Sequence, residues 1–324
     1  LGLLGYFKYA GFFVENLASM TGIALAPPTV ILPLAVSFYT FQQIAYLVDV
    51  YHGKIRDHNF LNYCLFVTFF PRLMQGPIVY YNEIMPQFAQ KEIFRFNPRM
   101  VAAGLTIFFF GLFKKVVIAD GLAVYATPVF EAARHMYTLS FLEAWEGALA
   151  YTLQIYFDFS GYSDMAIGLA YCFGIRIPLN FNSPYKSLNV IDFWRRWHMS
   201  LSRFLRDYLY IPLGGNRRGK ARTYFNLLFV FTLVGFWHGA NWTFLFWGFF
   251  HGSFLVAERM GLKNLLSKTY RPLQHLYLVF VVSTGWVFFR APDLSAALGY
   301  LKAMFGFNEA VPHLYSLFQF ADPY

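Results

Sequence analysis

The chain has 324 residues, of which 57% are hydrophobic, 22% aromatic and only 13% charged. Soluble domains carry about 25% charged residues, so this composition excludes an ordinary soluble domain and points to a membrane protein. The formal net charge of +9 would suggest a nucleic-acid partner in a soluble chain. Here the cations sit in short loops between apolar runs, as in the inner loops of membrane proteins, and no nucleic acid is expected.

The chain opens with Leu1 and no cleavable signal-peptide pattern. Its first residues read as the tail of a span, so further residues are expected upstream. A frayed span precedes Pro27 and Pro28. Spans of roughly 20 apolar residues are expected at 30–50, 60–80, 99–119, 141–157, 160–176, 223–238, 241–257 and 273–290, with a shorter amphipathic helix at 294–306. Pro33 sits early in the first of these and Pro71 interrupts the second. There is no internal repeat and no low-complexity linker. The expectation is an all-α fold, a polytopic bundle forming one transmembrane domain over 1–324. Cys64 and Cys172 both lie in apolar stretches and support neither a disulfide framework nor a thiolate metal site.

The stretch YFDFSGYSDMAIG, residues 156–168, places Asp158 and Asp164 inside an apolar run. Lipid cannot solvate such charges, so they must face protein or a water-filled cavity. A polar interior follows, as a channel or funnel. The stretch does not match the Gly-x-Ser-x-Gly nucleophile turn. Its acids are read as orienting a histidine or as a structural polar knot.

The run GGNRRGKAR, residues 214–222, holds Arg217, Arg218, Lys220 and Arg222 with no acid. The loop after the next apolar run holds Arg259, Lys263, Lys268 and Arg271 against Glu258. Both read as cytoplasmic, so the segment between them enters the membrane and returns. From Thr223 to Ala257 there is no Lys, Arg, Asp or Glu, yet His238 stands between Gly235 and Gly239. It lies 15–16 residues past Arg222, about 23 Å of helix into a hydrocarbon core about 30 Å thick. The glycines permit a chain break or a close helix approach. A histidine hydrogen-bonded between helices is the plain structural explanation. An intramembrane ionisable group is equally a functional candidate, and imidazole suits general-base chemistry.

In DFWRRWHMSLSRFLRDYLYIPLGGN, residues 192–216, Asp192, Arg195, Arg196, Arg203, Arg206 and Asp207 alternate with Trp194, Trp197, Phe204, Leu205 and Tyr208. At helical spacing this is an amphipathic helix lying in the interface. Alternatively it presents His198 at the mouth of the polar interior, facing the same cavity as His238. Gly214 to Lys220 fits G-x-x-x-x-G-K, but Ala221 stands where a Walker A loop needs Ser or Thr, and no sheet accompanies it. Nucleotide hydrolysis is excluded; a basic turn able to contact phosphate remains. Zinc held by His198, His238 and His251 lacks the short ligand spacing of a metal site, and no metal is expected.

The stretches FYTFQQIAYLVDVY, GPIVYYNEIMPQF, YFDFSGYSDMAIGLA, DFWRRWHMSLSRFLRDYLYIPLGGNRRG and FWHGANWTFLFWGFFHG together resemble the membrane-bound O-acyltransferase (MBOAT) family. The resemblance runs from about Leu1 to Pro292 and lies nearest the bacterial branch of alginate O-acetyltransferase type. Peptidoglycan O-acetyltransferases and the D-alanine-transferring protein of teichoic acid synthesis are similar relatives. It implies a helical bundle ringed around a thin central region with a tunnel. It also implies His238 as the principal catalytic residue and His198 as a second functional position. Members carry further spans before the position of Leu1 and helices after that of Tyr324, so the fold is expected to be incomplete at both ends.

The expected function is transfer of acetyl from cytosolic acetyl-CoA across the bacterial inner membrane for O-acetylation of an extracytoplasmic polysaccharide. An alginate-type exopolysaccharide is the favoured acceptor and peptidoglycan the alternative. Acetyl-CoA is expected as donor substrate, with no bound cofactor. His238 would take the proton of an acceptor hydroxyl or carry the acetyl group itself. Asp158 or Asp164 would fix its tautomer, and Arg217, Arg218 and Lys220 would hold the CoA phosphates. The resembled branch works with separate periplasmic acetyltransferases. The longest polar stretch, around 82–100, is too short to fold alone, so a periplasmic partner is expected to receive the acetyl group. Two readings from other classes are a transporter, which would not consume acetyl-CoA, and a noncatalytic scaffold, in which His238 would be dispensable.

Overall fold

The computed structural model describes residues 1–308 except 29, 32, 34, 58, 73 and 74. The expected spans 30–50 and 60–80 each contain such positions, and 309–324 of the expected single domain also lie outside the described residues. Every regular element among the described residues is helical. The longer helices are α1 (Ala10–Thr21), α2 (Val36–Tyr51), α3 (Phe60–Thr68), α4 (Tyr81–Phe88), α5 (Pro98–Phe113), α6 (Asp120–Arg134), α7 (Phe141–Cys172), α8 (Val190–Arg196), α9 (Met199–Leu205), α10 (Gly219–His238), α11 (Trp242–Ala257), α12 (Arg271–Arg290) and α13 (Leu294–Met304).

Asn97 starts α5 by accepting the Met100 N–H at 3.1 Å, with Pro98 in the first turn where its missing donor is harmless. The helix continues through a π-helical turn, Lys114–Ala119, into α6. The 37-residue run Pro98–Arg134 and the 20-residue α12 are long and apolar enough to cross a membrane. The other expected spans are shorter, or are diluted by Tyr, Trp, His and Asn and, over 141–172, also by Glu143, Glu146, Asp158 and Asp164.

The spans expected at 141–157 and 160–176 are one helix of 32 residues, about 48 Å long. A Ser140–Glu143 capping box starts it. No proline interrupts it, and the two acids at its middle are each paired with a lysine rather than facing lipid: Asp158 with Lys115 at 2.6 Å and Asp164 with Lys114 at 2.5 Å. The pairs draw α7 against the α5–α6 run, whose π-turn supplies both lysines.

Glycine sets the spacing of that contact. A Cβ on Gly111 would lie 2.5 Å from the Gly161 carbonyl oxygen, and one on Gly161 would lie 2.7 Å from that of Gly111. Gly104 and Gly168 face each other in the same way one heptad along. Gly161→Val is therefore expected to force the two backbones apart. Overpacking of this kind costs about 1–3 kcal/mol, read as a lowered melting temperature and aggregation in detergent. Gly121→Ala is the control, because a Cβ there meets nothing within 4 Å, and it should melt as the parent does.

The same device closes the α10–α11 hairpin, where a Cβ on Gly235 would strike the Phe244 carbonyl and one on Gly248 that of Phe231. Gly235 thus serves close helix approach rather than a break. The N-terminal segment packs on the end of this hairpin. Tyr9 stacks on Phe236 at 4.5 Å, the Trp242 indole donates to Asn16 at 2.9 Å, and the Lys8 ammonium donates to the Trp237 carbonyl and to Ser37 Oγ. A cation at the last turn of α10 meets carbonyls that have no partner within the helix. The main core joins α6, α7, α8, α9, α10, α11, α12 and α13 through Phe130, Tyr151, Phe193, Trp197, Trp247 and Trp286.

Candidate active site

The amphipathic stretch 192–216 is not one helix. Asn189 caps α8 by accepting the Asp192 N–H at 2.8 Å. The Glu258 carboxylate, at the end of α11, accepts the Val190 and Ile191 N–H groups at 2.7 and 2.9 Å. After Arg196 the chain extends at Trp197 and turns left-handed at His198, φ 42° and ψ 56°, before α9 begins. A non-glycine residue in that region is strained and persists only where its surroundings over-determine it.

Asn180 over-determines it. Its Oδ1 accepts the Ser200 hydroxyl at 2.8 Å and the Ser200 N–H at 3.3 Å, and its Nδ2 donates to Ser163 Oγ at 3.1 Å. The Ser200 oxygen in turn accepts the Ile78 N–H at 3.0 Å, and the Asn180 carbonyl accepts the Met199 N–H at 2.8 Å. His198 Nδ1 lies 3.0 Å from the same Asn180 Oδ1. An oxygen already serving as acceptor selects the tautomer in which Nδ1 carries the proton, leaving Nε2 as the acceptor of the neutral ring. Ser163, Asn180, His198 and Ser200 are all nearly inaccessible, at 1–3% exposure, so the network is a rigid internal frame.

His238 arrives from the other side as the last residue of α10. It is half-buried, with its ring 4.7 Å from that of Trp237 and 5.2 Å from those of Trp247 and Phe289. His198 and His238 line one cavity of about 240 Å³. Its walls are mostly aromatic, with Trp197, Trp237, Trp247 and Trp286 among them, and Gln75 and Asp158 add polar groups. Asp158 faces this cavity while its carboxylate is held by Lys115, which also binds Asp120 at 2.7 Å. Asp164 is absorbed by Lys114. Among the described residues, the tautomer-fixing partner is Asn180 on His198, not an aspartate on His238.

Behind the α8–α9 break lies a larger cavity, about 640 Å³, lined by apolar side chains and by Arg195, Arg203, Arg206 and Arg259. Arg203 is engaged by Glu83 on both its terminal nitrogens; of the other three at the rim, Arg206 pairs with the adjacent Asp207 at 2.8 Å and Arg259 donates to Asn216 at 3.1 Å. Arg206, Tyr210 and Asn216 are shared with a neighbouring 250 Å³ recess that Arg217 also lines. Arg218 and Lys220 line neither recess. Trp197 and His198 face the histidine cavity, Met199 and Ser200 the arginine cavity. Trp194 of the latter stacks edge-on against Trp247 of the former at 5.7 Å. One aromatic layer therefore separates them at this point.

His251 lies within that layer, fully buried among Trp194, Trp247 and Trp286, and lines neither cavity. Among the described residues no group of three or more His, Cys, Asp or Glu side chains could hold a metal ion. Sequence reasoning missed Asn180 and Gln75. Neither carries a charge or a motif; tertiary packing alone brings Asn180 to His198 and Gln75 to the wall of the cavity. It also read Arg206 and Arg259 as interfacial and topological charges.

The sequence pattern of the membrane-bound O-acyltransferase family, MBOAT, matches residues 51–294. The chain is 47% identical to the peptidoglycan O-acetyltransferase of Helicobacter pylori over 95% of its own length and 63% of that protein's. It is 45% identical to the probable alginate O-acetylase AlgI of Pseudomonas aeruginosa, over 95% of the chain and 59% of the relative. It is 30% identical to the teichoic acid D-alanyltransferase of Bacillus subtilis, over 71% and 60%. The chain thus spans about three-fifths of the length of these relatives. Its match covers both histidines and, apart from Phe38, the residues that line the cavity they share, and the chain belongs to the membrane-bound O-acyltransferase family.

Proposed function

We propose that this chain carries the acyl-transfer chamber of a multi-pass O-acetyltransferase of the bacterial inner membrane, with acetyl-CoA as donor. The observation that carries this reading is the placement of two imidazoles from separate elements on one aromatic cavity, backed by an arginine-rimmed cavity. Arg195, Arg206 and Arg259, with Arg217 beside them, suit the phosphates of the donor. The thioester arm then lies along the Trp194 layer towards His238. Trp194, Trp237 and Trp247 each bury an indole N–H without a protein partner among the described residues, and the arm's amide carbonyls suit such donors.

In the chamber the acceptor hydroxyl attacks the thioester carbonyl while His238 takes its proton. The tetrahedral adduct expels the thiolate, which regains that proton as free CoA thiol and leaves an acetyl ester. His198, with Nε2 as acceptor, orients a hydroxyl or water donor there. Asp158, fixed by Lys115, places a second acceptor at the chamber wall. A chamber of about 240 Å³ is smaller than the usual range of ligand pockets, roughly 300–1,000 Å³. It admits a narrow hydroxyl-bearing group rather than a polymer strand, which supports delivery to a periplasmic partner that acetylates the polysaccharide. The peptidoglycan O-acetyltransferase and alginate O-acetylase relatives favour an alginate-type polymer or peptidoglycan as the final acceptor.

The test uses the full-length protein in phospholipid vesicles with acetyl-CoA, a polysaccharide and the partner, reading free thiol and polymer esters. Thiol release should be slow alone and rise with the partner, and esters should form only with it. Arg206→Gln with Arg259→Gln should raise KM for acetyl-CoA about tenfold, the worth of a charge-assisted contact, with kcat unchanged. Efficient polymer acetylation without the partner would refute the relay. No acetyl-CoA consumption under any condition would leave the transporter or scaffold reading in its place.

A further inference from the structure

A third cavity, about 620 Å³, lies away from both chambers, where the loop before α5 meets the end of α7. Its wall carries Arg95, Arg176 and Glu92 together with the amides of Gln87, Gln90 and Asn97. Neither arginine forms an ion pair among the described residues. The wall is built rather than incidental. Gln87 accepts the Arg176 N–H at 2.8 Å and donates to the Arg176 carbonyl at 2.9 Å, pinning that loop to α4.

The surroundings of this cavity are apolar and outward-facing. Phe94 and Phe96, either side of Arg95, are 84% and 81% exposed. The most apolar window of the adjoining Pro98–Arg134 run is only 11% buried, as a lipid-facing helix is. Cations beside exposed apolar side chains at the end of such a run mark headgroup depth. Two cations against one carboxylate leave the cavity net positive.

We propose that this cavity binds the headgroup of an anionic phospholipid. The phosphate sits between Arg95 and Arg176, the headgroup hydroxyls donate to the carbonyl oxygens of the neighbouring amides, Glu92 opposes the phosphate charge, and the acyl chains run along Phe94, Phe96 and α5. Arginine suits the phosphate because its planar fork gives paired charge-assisted bonds. The ligand differs in class from the acyl donor and acceptor, and the site is independent of the proposed reaction.

The test places the purified protein in phosphatidylcholine nanodiscs holding a minor share of photoactivatable phosphatidylglycerol, and maps the labelled peptides. Label is expected on 91–101 and 172–177. Arg95→Gln with Arg176→Gln should cut it about tenfold, while Arg134→Gln, in the other terminal turn of the run, should not. Glu92→Gln, which keeps both arginines, should raise labelling. Equal labelling by a phosphatidylcholine or phosphatidylethanolamine probe, unchanged labelling in the double variant, or no rise with Glu92→Gln would each overturn the proposal. Displacement by inorganic phosphate or coenzyme A would assign the site to a soluble anion instead. Melting temperatures of all variants should match the parent, and acetyl-CoA turnover should persist in each.

Discussion

His238→Ala is expected to lower acetyl transfer on the order of a thousandfold, the usual worth of a positioned general base, while leaving insertion and melting temperature close to the parent. The side chain ends α10 half-buried, and its removal opens space towards an existing cavity rather than deep in a packed core. Among the described residues it makes no hydrogen bond whose loss would orphan a buried partner. The helix end is held by other groups, with the Lys8 ammonium on the Trp237 carbonyl and Asn241 capping α11. Thiol release and polymer esters should fall together, because both routes open to His238, base or acetyl carrier, fail without it. Normal acetylation by the alanine variant would remove His238 from the chemistry. A collapsed melting temperature would make it a packing residue.

The second large effect is expected at Asn180, as a positioning residue acting through His198. In Asn180→Leu the imidazole loses the oxygen that keeps Nδ1 protonated, and the Ser200 hydroxyl and N–H and the Ser163 hydroxyl lose partners at once, while the main-chain bond from Met199 remains. Loss of a partner that orients a functional imidazole costs about 10- to 100-fold in metal sites, and the same order is expected here in kcat, with KM for acetyl-CoA little changed. Asn180→Asp keeps the acceptor towards His198 and should recover part of the rate, although it cannot donate to Ser163. Ser163→Ala breaks the far end of the network without touching the imidazole and should keep most of the rate. If Asn180→Asp and Asn180→Leu lose rate equally while Ser163→Ala matches both, the network only holds the fold and the tautomer argument fails.

The sequence made several things legible. Charge scarcity and apolar runs pointed to helices in a membrane, and the run expected at 99–119 lies within the long apolar Pro98–Arg134 run. Glycine and histidine in the uncharged stretch before Ala257 pointed to a special hairpin. Both histidines were singled out as able to face one cavity, and they do line one. Reading Asp158 as a cavity-facing acid was also possible, because lipid excludes it.

Other features were open only to tertiary structure, and the reason in each case is long-range pairing. Local pattern divided 141–176 into two spans at its acids. Lysines more than forty residues earlier neutralise those acids, so α7 continues unbroken. Helical periodicity described 192–216 as a single amphipathic stretch. Partners at Asn180 and Glu258 hold its two halves apart and turn His198 left-handed. The run 217–222 was the plainest basic cluster in the sequence, yet Arg195, Arg206 and Arg259 gather at the larger cavity while Arg218 and Lys220 do not. Residue types along a chain tell which groups must avoid lipid and which can do chemistry. Which of them share one enclosed volume is decided by helix contacts, because glycine-to-backbone approach and interhelical ion pairs act between segments that are distant in sequence.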